Sequence, residues 1–141
     1  MQSTDPEMQE VLTEVLQALD QSTEEMTLNQ FQAVCSETAT YPEAGTCSKD
    51  AFSYTVLGLC GESGELADKW KKSLRGDHGE PGQTTPAVRE AMMAEAGDVA
   101  WYLARIATEL GVSLSDIARG NIRKLRSRQD RGVIKGSGDY R

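Results

Sequence analysis

Histidine occurs once, as His78, and cysteine three times, as Cys35, Cys47 and Cys60, with no CxxC pair. That inventory argues against a zinc site, which needs clustered nitrogen and sulfur ligands. His78 sits among glycines and a proline, a poor place to hold a general base beside a thiol. An odd set of thiols without framework spacing fits reduced cysteines in a cytoplasmic protein. No apolar run reaches about 18 residues, and no basic stretch followed by an apolar one opens the chain. Neither a membrane span nor a signal peptide is expected. Strand-like alternation is absent as well. Lysine and arginine are missing before Lys49, so residues 1–48 carry nine acids and no base, leaving 15 bases against 13 acids in the rest. A net charge of −7 argues against wholesale binding to nucleic acid, but leaves room for a local basic pocket that binds phosphates.

What remains reads as helices throughout one domain of 141 residues, with a hydrophobic fraction of 38%, low for a self-sufficient monomer. A first helix follows Asp5-Pro6 and carries Met8, Val11, Leu12, Val15, Leu16 and Leu19 at helical spacing. It forms an acidic segment over 1–26. Thr27 is placed to cap a second helix with Leu28, Phe31, Val34 and Cys35. A third runs from about Ala51 to Leu74, and the stretch from Arg75 to Gln83 is a mobile loop by composition. Pro86 opens a fourth helix that ends at Gly111. Ser113 and Asp116 resemble a capping box for a fifth, reaching about Arg131. The tail over 132–141 contains Gly136-Ser-Gly and is expected to be irregular. The fold class is all-α: a bundle of four to five helices over 27–131, completed by oligomerisation.

The fourth helix breaks its own pattern. Val88, Met92, Val99, Leu103, Ile106 and Leu110 form one apolar stripe at about 100° per residue. Glu95 lies inside it and Asp98 at its edge. A buried carboxylate without a partner costs several kcal/mol or shifts its pKa to stay neutral. Two of them at i and i+3 imply a shared cation. The third helix carries another such pair, Glu62 and Glu65, among Gly58, Gly61 and Gly64. Each glycine costs a helix roughly 1 kcal/mol against alanine. On a carboxylate-bearing face, glycine admits a close backbone or a bulky ligand. An all-oxygen, anionic set suits Mg²⁺, with Mn²⁺ as a substitute. The opposite side of the fourth helix, with Met93, Gly97, Ala100, Trp101, Ala104 and Ala107, is also apolar, and predicts a subunit interface in a dimer or tetramer.

Cations accompany the carboxylates. Leu114, Ala118, Ile122 and Leu125 define the inward stripe of the fifth helix, with Asn121, Lys124 and Arg128 along one edge. Arg119, Arg123 and Arg126 point away. Lys69 and Lys72 share the carboxylate side of the third helix. Positive groups beside a metal cluster suit a polyphosphate substrate.

The string Leu57-Gly-Leu-Cys-Gly-Glu62-Ser-Gly-Glu65-Leu, with Lys71-Lys72 and Arg75, resembles the MazG-type nucleoside triphosphate pyrophosphohydrolases. So does Glu95-Ala-Gly-Asp98-Val-Ala-Trp-Tyr-Leu. The shared pattern is ExxE, a spacer, then ExxD, and the likeness continues through Asn121-Ile-Arg-Lys124-Leu into Gly136-Ser-Gly-Asp139. Phe31-Gln32 and Thr38-Ala-Thr-Tyr41-Pro42 add to it. The spacer is slightly longer than the family's, which predicts an extended loop over 75–85. The resemblance implies hydrolysis of a nucleoside triphosphate between its α and β phosphates. Glu62, Glu65, Glu95 and Asp98 are then the metal ligands, with Glu62 or Glu65 orienting or deprotonating the attacking water. Lys124, Arg128 and Lys72 are assigned to the β and γ phosphates, Trp101 or Trp70 to the base, and Arg141 of the tail to a phosphate as the tail closes. Two alternatives stand beside this reading. One is a narrower all-α pyrophosphohydrolase, specific for dUTP or a phosphoribosyl nucleotide. The other is a non-catalytic helical interaction protein that uses its acidic front as a docking arm.

Overall fold

A computed structural model describes residues 25–135. The predicted first helix, the Gly136–Asp139 tail and Arg141 lie outside those residues. Four helices follow one another: α1 (Leu28–Glu37), α2 (Lys49–Arg75), α3 (Pro86–Glu109) and α4 (Leu114–Asp130). No strand occurs among the described residues. No helix there is long and apolar enough to cross a membrane.

The helix ends follow local chemistry. Thr27 accepts from the Gln30 amide while the Gln30 side chain accepts from the Thr27 amide, a reciprocal cap for α1. The Ser48, Thr85 and Ser113 hydroxyls accept from Ala51, Val88 and Asp116 to start the other three. α2 stops at Gly76, whose φ of 87° is left-handed, and α3 runs out before Gly111 at φ 66°. Val112 N then donates to Ala107 O at 3.0 Å and Gly111 N to Thr108 O at 2.9 Å, so the last carbonyls are satisfied.

α2 and α3 form a long antiparallel hairpin, the most extensive helix contact in the fold. Going up α2, Gly58 meets Tyr102, Glu62 meets Asp98 and Lys69 meets Glu95. The loop between them is tied down, despite its three glycines and one proline. The Ser73 hydroxyl donates to Gln83 O at 2.8 Å and Gly82 N donates to Ser73 O at 3.0 Å. α1 and α4 pack on α3 and on each other, and α4 makes no helix contact with α2.

The core departs from the predicted stripes. Its buried apolar members are Cys35, Tyr41, Ala51, Val88, Ala104 and Ala107. Ala104 and Ala107, read from sequence as part of a subunit interface, are fully buried within the chain itself. Leu103 and Leu110, read as core, are 43% and 55% exposed. Periodicity shows that α3 has two apolar faces but not which one meets its own chain. The small alanines win because they let helices cross closely. The inward stripe read for the fifth predicted helix is likewise open, with Ile122 47% exposed.

Candidate metal centre and its surroundings

Glu62 on α2 and Glu95 with Asp98 on α3 each turn a carboxylate oxygen toward one point, all within 4.8 Å of one another. The i, i+3 spacing puts Glu95 and Asp98 on one side of α3, and antiparallel pairing brings Glu62 opposite. Glu62 and Glu95 are half-buried and Asp98 is exposed. Desolvation, then the charges of Glu65, Asp98 and Glu95, push the Glu62 carboxyl above its ordinary range. Glu65 lies outside the three-oxygen set but near enough to act on Glu62 electrostatically. The donor set fits a hard divalent cation: all the candidate ligand atoms are oxygen, from both helices, and their mutual repulsion is only partly relieved by the protein itself.

Lys69 already supplies part of the missing charge. Its Nζ lies 3.0 Å from Glu95 Oε1, and this hydrogen bond and ion pair hold the ammonium above its ordinary pKa. Lys71 and then Lys72, the latter at 2.6 Å, pair with Asp68 and hold its carboxyl down to about 2. Asn121 and Lys124 are exposed on α4, while Arg128 is buried at 6% exposure. Because α4 packs on α1 and α3, the single chain does not bring these three to the carboxylates through a contact with α2. Gly58, Gly61 and Gly64 play unlike parts. A Cβ on Gly58 would lie 2.1 Å from the Tyr102 ring, whereas Gly61 and Gly64 face open space.

An aromatic group adjoins the carboxylates. Tyr41 stacks on Tyr54 with centroids 5.0 Å apart, and Trp101 stands edge-on to Tyr41 at 6.3 Å and to Tyr102 at 4.9 Å. Trp101 Nε1 donates to Thr38 Oγ1 at 2.7 Å, tying the ring to the segment after α1. Desolvation, then Tyr54 and the carboxylates Glu62 and Asp98, raise the Tyr102 hydroxyl pKa.

Behind the ring of Tyr41 lies a buried polar knot that sequence reasoning missed. Glu109 accepts from the Tyr41 hydroxyl, from Gly45 N at 2.7 Å and from Cys47 N at 3.0 Å. Arg105 donates to Tyr41 at 3.1 Å and to Ser36 at 2.5 Å, and lies 3.6 Å from Glu109. Burial opposes the Glu109 charge, but these donors together hold its carboxyl below the ordinary range. The sequence signal was weak: Arg105 and Glu109 stand at i and i+4 on a flank of α3 between its two apolar faces, where such a pair reads as an ordinary surface ion pair.

A family model described as the MazG nucleotide pyrophosphohydrolase domain matches residues 51–133. The chain belongs to the MazG family. The MazG match begins two residues into α2 and runs through α4, so it contains all three converging carboxylates. Membership implies a nucleotide pyrophosphohydrolase. The chain is also similar to the Gene 37 protein of Mycobacterium phage L5, 49% identical over 112 residues, covering 79% of this chain and 96% of that protein. No solved structure gives a significant match.

Proposed function

We propose that this MazG chain hydrolyses nucleoside triphosphates at the α–β phosphoanhydride, releasing the monophosphate and pyrophosphate, and so acts on the cytoplasmic nucleotide pool. The observation that carries the reading is the convergence of Glu62, Glu95 and Asp98 within 4.8 Å from two facing helices. These three would hold Mg²⁺, which when bound withdraws charge from phosphate oxygens and favours attack by water. Glu65, beside the set and not within it, orients or deprotonates the attacking water. Lys69 is placed to pass from Glu95 to a phosphate as the cation and substrate arrive, since it can satisfy either anion at the same spot. Trp101, in the cluster with Tyr41, Tyr54 and Tyr102, offers a wall on which a base stacks, a contact open to every base.

We assign the homo-oligomer to the same reading. Leu57 is 71% exposed and Met93 68% exposed, large apolar groups on the very helices that carry the carboxylates. In this reading a second copy covers those exposed faces, and Asn121, Lys124 and Arg128 reach the phosphates from its α4. The test is purified protein with Mg²⁺ against canonical and modified nucleotides, with orthophosphate and pyrophosphate both quantified. Pyrophosphate is the expected product; orthophosphate alone would mean an ordinary phosphatase.

A further inference from the structure

The side of α4 away from Lys124 carries a furrow of about 390 Å³ whose floor is Leu28, Ala118 and Ile122 and whose rim is Arg119, Arg123 and Arg126. Leu28 and Ile122 are 44% and 47% exposed, an uncovered apolar strip beside three guanidinium groups. Arg119 pairs with Asp116 of its own turn at 2.7 Å. No carboxylate among the described residues forms an ion pair with Arg123 or Arg126. The strip therefore asks for an occupant that is apolar along one row and acidic along the next.

The chain contains such a segment. It enters α1 through Thr27, at the lip of the furrow that Leu28 lines. The residues before Thr27 hold seven acids and no base, with Met8, Val11, Leu12, Val15, Leu16 and Leu19 at helical spacing. On a helix, Glu7, Glu10 and Glu14 form one row beside those apolar residues, at i, i+3 and i+7. Arg119, Arg123 and Arg126 form a row at i, i+4 and i+7 beside Ala118 and Ile122. We propose that the acidic segment docks in this furrow of its own chain, its apolar row on Leu28, Ala118 and Ile122 and its glutamates against the arginine rim. Reach is sufficient. Eight linking residues, 20–27, would span up to roughly 26 Å if extended, and residues 6–19, if helical, would be about 21 Å long, enough to lie along three turns of α4. A second copy is the poorer occupant, because two-fold pairing of this face sets arginines against arginines.

The test uses the full chain with a photoreactive benzoylphenylalanine in place of Val15. Illumination of dilute protein is expected to give single-chain crosslinks to residues 114–126 or to Leu28, mapped by mass spectrometry. Reversing the rim with Arg119→Glu, Arg123→Glu and Arg126→Glu together should lower that yield about tenfold, the effect of several exposed ion pairs turned repulsive. Adding Glu7→Arg, Glu10→Arg and Glu14→Arg to that triple should restore it, which a variant lost to misfolding would not do. Crosslinks only between chains would put a second copy in the furrow and overturn the proposal. So would crosslinks elsewhere in the chain, or a yield that neither reversal nor swap moves.

Discussion

Lys69 Nζ sits 3.0 Å from Glu95 Oε1, on the side of α2 that faces the Glu62, Glu95 and Asp98 oxygens. In the proposed site an ammonium and a divalent cation would therefore compete for one carboxylate. Lys69→Met is expected to tighten Mg²⁺ binding to the free protein several-fold, because the ion no longer displaces a partner from Glu95, while lowering kcat/KM for the nucleotide. Titration calorimetry checks the first half. Weaker Mg²⁺ binding in the variant would show that Lys69 supports the metal rather than standing in for it.

Two glycines of α2 should answer the same substitution with opposite signs. Gly58→Ala drives a methyl to 2.1 Å from the Tyr102 ring and should destabilise the fold by about 1–3 kcal/mol as the ring is displaced. Gly61 has nothing within 4 Å of its would-be Cβ, so Gly61→Ala should stabilise by roughly 0.5–1 kcal/mol through helix propensity alone. Thermal denaturation of both settles it. Equal effects would mean that Tyr102 does not occupy the space beside Gly58.

The Tyr41–Glu109–Arg105 knot predicts acid lability. The Glu109 carboxyl is held below its ordinary 4.5, so its stabilisation is present above that value and drains away as pH falls through the lowered folded pKa. Glu109→Gln leaves Arg105 buried without its counter-charge and should cost about 3–5 kcal/mol at neutral pH. The variant should also lose much of the wild-type decline in Tm below pH 4.5. A pH profile parallel to wild type would place the acid-sensitive group elsewhere.

Bond choice has its own test. Attack at the α-phosphorus in ¹⁸O-labelled water should place the label in the monophosphate. Label confined to pyrophosphate would show attack at the β-phosphorus instead.

Helix identity and ends were readable because their causes are local. Thr27, Pro86, Ser113 and Gly111 each announce a start or a stop within a few residues, whereas Ser48 and Gly76 read only as loop residues. The convergence of Glu95 and Asp98 was readable because charges on or beside an apolar stripe demand a reason, and that of Glu62 because it forms a second i, i+3 pair with Glu65. Direction of burial was not. Ala104 and Leu103 are adjacent, both apolar, and only the packing of α1 and α2 onto α3 decides that Ala104 is buried and Leu103 exposed. The division of labour among the glycines was equally hidden, since Gly58 differs from Gly61 only in what stands across from it. The furrow of α4 escaped notice because its arginines look like an ordinary solvated face until Leu28 is seen beside them.

The most direct measurement is pyrophosphate release from a nucleoside triphosphate by the wild-type chain and by Glu95→Gln, each with Mg²⁺ and with EDTA. The wild type should release pyrophosphate only with Mg²⁺. Glu95→Gln, which removes one of three converging charges, should lose at least about a hundredfold of that rate while its metal-free form stays as stable as the wild type or more so. Undiminished, EDTA-resistant release by Glu95→Gln would contradict the assignment of Glu62, Glu95 and Asp98 as the metal centre.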